Sequence, residues 1–246
     1  MADEKESKKP LVKKKALLSK KKKSWFQILA PDIFGKAVIG ETIIEDSKQL
    51  MGKCIELSLM SLTGDMKKQN VSVTFRVDKV LEGKGHTQLI SYDLSPASIK
   101  RLVRRGRMRV DASFVCQTKD GVKIRVKPFL LTAHETNKSI LSSLRKYASA
   151  FIATYVSLYD YDVIFKDIVS GKLQAGVRQA VHTIYPIRSS EIRILHLLKD
   201  SIAVTALPNP NINVEKILEA ASQARQTRRP MPQRHEQQRS EEPAAA

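Results

Sequence analysis

Val71-Ser72-Val73-Thr74-Phe75-Arg76-Val77-Asp78 decides the architecture of this chain. Four apolar side chains alternate with four polar ones. Because successive side chains of a strand point to opposite sides, this is a strand with one buried face. Ile55, Leu57 and Leu59 interleave with Glu56, Ser58 and Met60 in the same way, which predicts another strand upstream. Downstream, Gly83-Lys84-Gly85 marks a turn into a further strand over residues 86–92. Residues 107–118 and 122–131 then flank Asp120-Gly121, a pair that tolerates the positive φ of a tight turn, and predict a hairpin.

A short helix interrupts these strands. Ser95 suits its N-cap and Pro96 its first helical position, and Gly106 would end it. On its wheel Ile99, Leu102 and Val103 share one face, and Lys100, Arg101, Arg104 and Arg105 take the other. Further on, the apolar period lengthens. Ile140, Leu141, Leu144, Ala148, Phe151, Ile152 and Tyr155 recur at helical spacing and predict a helix of some twenty residues. Residues 161–169 predict a second helix stopped near Ser170-Gly171, and Leu173, Val177, Val181 and Ile184 a third. After Tyr185-Pro186, the β-branched run 187–198 reads as a returning strand, although Ile192 and Ile194 alternate with Arg193 only partly. Strands, then helices, then a strand give an α+β fold with a barrel-like, mostly antiparallel sheet and helices packed in the second half.

The ends read differently. Ten lysines crowd the first 24 residues, so residues 1–23 are read as a disordered basic arm. Residues 24–206 form a single α+β domain. In residues 207–246, the breaker Leu207-Pro208-Asn209-Pro210-Asn211 precedes a short helix over 214–224 and a second disordered tail. The chain carries 43 Lys+Arg against 25 Asp+Glu, a net charge of +18, and its 42% apolar content argues for a folded core rather than a disordered polycation. Such an excess repels itself unless a polyanion is present, and nucleic acid is the usual polyanion. Cys54 and Cys116 are the only cysteines, which fits a reducing compartment and excludes a disulfide framework. The N-terminus lacks the apolar stretch of a secretory signal, and Asp3, Glu4 and Glu6 speak against a mitochondrial transit peptide. The uncharged run 147–159 is too short to cross a bilayer, so a soluble intracellular protein is expected.

The sharpest chemical constellation lies in residues 100–127. It contains Lys100, Arg101, Arg104, Arg105, Arg107, Arg109, Lys119, Lys123, Arg125 and Lys127 against only Asp111 and Asp120. Met108, Val110, Phe114 and Cys116 take one face of the hairpin's first strand, leaving Arg107 and Arg109 on the other. Val122, Ile124 and Val126 likewise leave Lys123, Arg125 and Lys127 outward. A helix face and a sheet face thus present cations near one corner, where a guanidinium fork suits phosphate. Without the balancing acids of an ordinary solvated face, this patch points to phosphate binding. Trp25 and Phe26 have two uses, stacking on unpaired bases or anchoring the arm into its own core. The anchor is the expected one, with Lys20, Lys21, Lys22 and Lys23 beside it on phosphate.

No active site is legible. The five histidines lack metal-ligand spacing, and Asp160, Asp162 and Asp167 read as helix-end charges. Gly83-Lys84-Gly85 has neither Walker spacing nor a following helix, and Ser139, Ser142 and Ser143 lack a nucleophile-elbow context. No cofactor, metal or small-molecule substrate is expected. A nuclease would need Asp111 or Asp120 in the basic groove. The alternative of another class is a peripheral module that uses the lysine arm as a polybasic membrane anchor, though no lipidation signal accompanies it.

Several segments together carry a family resemblance: the entry ending in Ala30-Pro31, Ile39-Gly40-Glu41-Thr42, Leu62-Thr63-Gly64-Asp65 and Tyr92-Asp93-Leu94-Ser95. Ile99-Lys100-Arg101-Leu102-Val103-Arg104, Thr118-Lys119-Asp120-Gly121, residues 138–146, Ile184-Tyr185-Pro186-Ile187-Arg188 and Ile192-Arg193 continue it. In collinear order over about residues 20–200, the chain resembles the S-three-a (S-one-e) ribosomal proteins of archaeal and eukaryotic small subunits. The resemblance implies a non-enzymatic, cytoplasmic ribosomal component. It would bind small-subunit rRNA on the platform near the messenger exit, among neighbouring ribosomal proteins. It also implies RNA contacts at residues 100–105, 119–127 and 138–146, the last including Lys138, Arg145 and Lys146, and draws attention to Arg188 and Arg193. The first ~15 residues and the tail after Arg225 match no pattern of the family.

Overall fold

The computed structural model describes residues 23–198, 202–205 and 217. In chain order the elements are β1 (Ser24–Leu29), β2 (Val38–Ile44), β3 (Cys54–Ser58), α1 (Leu59–Thr63), β4 (Val71–Leu81) and β5 (Lys84–Leu94). They continue with α2 (Pro96–Leu102), β6 (Arg109–Asp111), β7 (Phe114–Gln117), β8 (Lys123–Thr132), α3 (Lys138–Leu158), α4 (Tyr161–Ser170), α5 (Lys172–His182) and β9 (Ile187–Leu197).

The strands make one sheet. Its main path runs β2-β1-β5-β9-β8-β6, with β4 also on β5, β3 on β4 and β7 on β8. Every pairing is antiparallel except β1 with β5, which is parallel over three residue pairs. Among the described residues no pairing joins the ends of this branched sheet, so it is open rather than the expected barrel. The β4–β5 hairpin turns on Glu82 and Gly83, both at positive φ, the requirement of a two-residue turn that follows strand twist. The turn therefore lies one step earlier than expected, and Gly85 is already in β5. A Cβ at Gly85 would stand 2.9 Å from Leu50 Cδ2 and 3.3 Å from Val77 Cγ1, so any larger residue would have to displace the buried Leu50 side chain.

Pro128 shapes the middle of β8. It has no N–H to give, and opposite it only the long Ala112 N to Pro128 O bond of 3.4 Å holds. The expected single strand over 107–118 is consequently split into β6 and β7. On its other side β8 meets β9 with two register shifts. Lys127 faces Ile194 while Pro128 faces Ile192, and Leu131 faces Ser189 while Thr132 faces Ile187. Arg193 and Arg188 are the skipped residues, one at each bulge. This explains why the alternation of β9 falters around Arg193 in the sequence.

The two faces of the sheet have different fates. Val73, Phe75, Tyr92, Val110, Phe114, Ile124, Val126 and Leu130 point into one cluster with Leu144, Phe151, Ile152, Tyr155, Phe165 and Val177 of α3–α5. At about 25 cal/mol per Å² this helix-on-sheet layer is the principal source of stability. Buried Cys116 belongs to it, and burial pushes its thiol up to about 12, so it is unreactive. On the opposite face α2 lies on β8, where Ile99 packs against Phe129 and Leu131. A third, smaller cluster of Ile28, Ile44, Leu50 and Val77 holds the β1–β2 ladder to the rest.

The alternating segment over 55–60 is a strand only to Ser58; Leu59 is still buried, but as the first residue of α1, which Gly64 closes at φ 71°. Helix α2 ends at Leu102 rather than near Gly106, because Val103 turns extended to bring its side chain, with that of Leu102, onto the Ile99 cluster. Ile184 is 40% exposed, outside α5, since Pro186 disfavours helix in the residue before it. The arm with Lys20, Lys21 and Lys22, the breaker at 207–211 and the terminal tail lie outside the described residues. Of the expected helix over 214–224 only Ile217 is described; it is helical and packs on the main core. Among the described residues no helix is long and apolar enough to cross a membrane.

Two acids test this packing. The N–H of Tyr161, first in α4, donates to Asp120 Oδ2 at 2.9 Å, while Asp160 at the N-cap itself gives no side-chain cap. Asp120→Ala should cost about 0.5–2 kcal/mol in urea unfolding, and Asp120→Asn distinctly less. Glu191, facing Phe129 across the ladder, is held above the ordinary carboxyl range by burial. A raised carboxyl pKa favours the protonated native state, so this residue costs stability once pH exceeds that range. Glu191→Gln should therefore raise the thermal midpoint at pH 7, with the gain vanishing near pH 4.

Candidate nucleic-acid interface

Strand β8 builds the site by alternation. With Ile124 and Val126 committed to the core, Lys123, Arg125 and Lys127 must emerge on the far face. Phe129 and Leu131 continue that same far face and give α2 its seat. Helix α2 therefore sits on the side from which the β8 cations emerge, and Lys100 and Arg101 on it and Arg104 and Arg105 after it are all exposed. The expected convergence of a basic helix and a basic sheet face is present. Arg101 Nη2 donates to Asn70 Oδ1 at 2.6 Å, which fixes one guanidinium toward the start of β4.

Three arginines meet at the end of the sheet. Met108 N donates to Thr132 Oγ1 and Thr132 N to Met108 O, while Ala133 N bonds Pro186 O. These bonds bring the approach to β6, the end of β8 and the start of β9 together. Arg107 and Arg188 are thus neighbours, and Arg104 comes from the loop after α2. Partial desolvation, and then the like charges of Arg188 and Arg104, lower the affinity of Arg107 for its proton. Guanidiniums crowded in this way are favoured by an anion between them.

A second collection surrounds Pro128. A cleft of about 350 Å³ is lined by Asp111, Ala112, Ser113, Lys127, Pro128 and Arg193. Both ladders loosen there, and the bulge carries Arg193 to its wall, as bulges re-aim side chains elsewhere. Asp111 is engaged with Arg109, whose guanidinium also stands 5.5 Å from the centre of the Phe129 ring. Arg109 thus has a structural share of its own. Acids also lie on this face: Asp111 and Glu191 stand opposite Phe129, and Asp93 is 3.6 Å from His196 Nε2, with His196 directly opposite Arg125. The sequence reading missed this pair, although the outward position of His196 between Leu195 and Leu197 was visible.

Other expected residues lie apart from the corner. Lys119 is exposed on the hairpin turn, and Lys123 Nζ donates to Ile202 O at 2.9 Å. Lys138, Arg145 and Lys146 are exposed on α3, in the helical layer on the other face, where Arg145 Nε donates to the Asp111 carbonyl at 2.9 Å. Trp25 stands on β1, next to the end of the sheet path, and exposed Lys23 just precedes that strand. Trp25 and Phe26 do not act as one anchor: strand geometry sends them to opposite sides, Phe26 into the small cluster and Trp25 outward, 67% exposed.

Catalytic uses of the acids have no support in this geometry. Asp111 pairs with Arg109 and Asp120 caps α4. Tyr155 donates to Asp167, which also lies 3.8 Å from Lys172 Nζ, so Asp167 joins α3, α4 and α5. Among the described residues no three His, Cys, Asp or Glu side chains gather as metal ligands would.

Residues 12–201 match the ribosomal S3Ae family. The chain is 31% identical over 195 residues to the small ribosomal subunit protein eS1 of Methanothrix thermoacetophila, covering 78% of this chain and 92% of that one. It is 36% identical over 179 residues to the protein of the same name from Sulfurisphaera tokodaii, covering 73% and 93%. For the protein of that name from Halorubrum lacusprofundi the identity is 32% over 203 residues, covering 80% and 92%. Matched along most of its own length and nearly all of theirs, with its folded core inside the match, this chain belongs to the ribosomal S3Ae family.

Proposed function

We propose that this chain is a structural component of the small ribosomal subunit that holds small-subunit rRNA against the basic corner of α2, β8 and β9. In this reading residues 24–206 act as a single rRNA-binding domain in the cytoplasm. It sits on the platform near the messenger exit and beside other small-subunit proteins. Membership of the S3Ae family, whose relatives are named as small-subunit proteins, supports the ribosomal role and a structural rather than enzymatic one.

The observation that carries RNA contact is the Arg104–Arg107–Arg188 group beside outward-facing Lys123, Arg125 and Lys127. Two of the cations, Arg188 and Arg193, stand at strand bulges. Ordinary charged faces interleave both signs, whereas residues 100–127 hold ten cations and two acids, each of which has a partner within the fold. A surface of this kind suits phosphates and ribose edges of folded RNA, with little base readout. Lys119 and the cations of α3 would extend the contact around the helical layer, and Lys20, Lys21, Lys22 and Lys23 would add phosphate contacts from the arm.

The test is binding of the purified chain to a transcript of the small-subunit rRNA 3′ domain across a salt series. Affinity should fall steeply with ionic strength. Arg104→Ala, Arg107→Ala and Arg188→Ala together should flatten the log–log salt slope by roughly 2–3 for three lost phosphate contacts. The triple variant should keep its thermal midpoint or gain slightly, because mutual repulsion is removed. An affinity indifferent to salt would sink the proposal. Directed hydroxyl-radical cleavage from the corner, within assembled subunits, tests the platform placement.

A further inference from the structure

The end of the sheet furthest from the basic corner has the opposite character. Residues 24–68 carry six acids (Asp32, Glu41, Glu45, Asp46, Glu56 and Asp65) and five lysines (Lys36, Lys48, Lys53, Lys67 and Lys68), a net charge of −1 in a chain of +18, and Glu41, Glu45 and Asp46 lie on β2 or just after it. Five of the ten exposed large apolar side chains among the described residues also fall there: Trp25, Val38, Ile43, Met51 and Met66. A phosphate-binding surface would be neither acidic nor apolar, so this end is built for something else.

The surface has a definite geometry. Trp25 and Ile43 face each other across the β1–β2 ladder, 67% and 50% exposed, on the side away from the Ile28–Ile44 cluster. Gln27 and Glu41 form the next pair on that face, joined by a 3.2 Å hydrogen bond from Gln27 Nε2 to Glu41 Oε1. Strand β2 ends the sheet path. Among the described residues it pairs with β1 alone, which leaves one edge of its backbone without a strand neighbour. An exposed, apolar edge strand is a template for another strand unless something covers it. Exposed Glu45 continues the acidic character past its end.

We infer that β2 accepts an extended, basic segment of a neighbouring ribosomal protein, which adds a strand to its free edge and buries Trp25 and Ile43. Main-chain hydrogen bonds supply the affinity in this mode, and alternate side chains supply selectivity. Glu41 and Glu45 select for lysine or arginine, and the Trp25–Ile43 pair selects for an apolar residue between them. Basic extended segments are what a neighbour on an RNA particle offers, so the identity of the partner rests on the ribosomal reading above. The mode of binding does not. RNA, this chain's own lysine arm and a second copy are the competing occupants. The first is opposed by the net negative charge.

The test exploits the single tryptophan of the chain. Titrating the full-length protein with an alternating Lys-Val peptide should blue-shift and brighten Trp25 emission. An alternating Glu-Val peptide and oligouridylate should leave it unchanged. Glu41→Lys with Glu45→Lys should weaken the Lys-Val response about tenfold or more without lowering the thermal midpoint. A response to oligouridylate alone, or to neither peptide, overturns the inference whether or not the chain is ribosomal. In small subunits carrying Ile43→p-benzoyl-phenylalanine, irradiation should yield a crosslink to another ribosomal protein that protease removes and nuclease does not. A crosslink to rRNA, to residues 1–22 of the same chain or to a second copy overturns it. If the chain fails to sediment with small subunits, the ribosomal reading falls, and the peptide titration still decides the edge strand.

Discussion

Strand β8 must satisfy two demands through one alternation, and most of the molecule follows from it. Ile124, Val126 and Leu130 hold the helical layer, and Lys123, Arg125 and Lys127 emerge opposite. Because side chains alternate with a period of two, committing one set to the core commits the other to the far face; a slip of one residue would bury three cations. The apolar layer of α3–α5 is therefore what aims the charges. The basic face changes to Phe129 and Leu131 where α2 needs a seat, so the same strand also brings the exposed cations of the helix to its own.

Crowding like charges opposes folding, and the architecture places that opposition where it can be relieved. Arg104 and Arg107 share the loop between α2 and β6, and Arg188 joins them from β9, so the threefold crowding depends on the tertiary fold. In the unfolded chain Arg188 is far from the other two and screened from them. The native state accepts their repulsion because the helix-on-sheet core outweighs it, and a phosphate placed among them would turn that cost into affinity. Arg109 shows the contrast. It lies in the same stretch of sequence, yet Asp111 and the Phe129 ring engage it, and it belongs to the scaffold as much as to the surface.

Much of this was legible in the residues. The period-two run over 71–78, the helical recurrences of α3, α4 and α5 and the returning strand appear with nearly the expected limits, and the hairpin at Asp120-Gly121 appears with its first strand shortened to β7. These are long segments in which propensity, pattern and turn chemistry agree. Phase within residues 107–127 also gave the cation face. What escaped depends on pairing partners far away in sequence. The Pro128 interruption acts on β6 and β7 across the ladder, and the bulges at Arg188 and Arg193 exist only relative to β8. Strands β1 and β2 went unread because Ser24–Leu29 looks like the end of a lysine tail. Its parallel contact with β5 is a long-range pairing that local pattern does not announce. Trp25 was grouped with Phe26 as neighbours in sequence, whereas a strand makes them neighbours of different surroundings.

Separating the two kinds of surface settles a problem that charge alone leaves open. A uniformly cationic protein meets a polyanion in any orientation, since phosphate contacts carry little directional information. Here β1 joins β5 at residues 84–86 and β9 joins it at residues 91–93, which sets the net-negative β1–β2 ladder and the corner formed by β6, β8 and β9 at different ends of β5. Under the proposed reading, an RNA surface that attracts the corner would gain little from the β1–β2 ladder itself, so mismatched poses would be disfavoured. Under that reading Trp25, Ile43 and the edge of β2 would stay clear of the nucleic acid, where a protein neighbour could reach them. An open sheet is what allows this division: a closed barrel would have no free edge, and its two ends could not be dedicated to different partners.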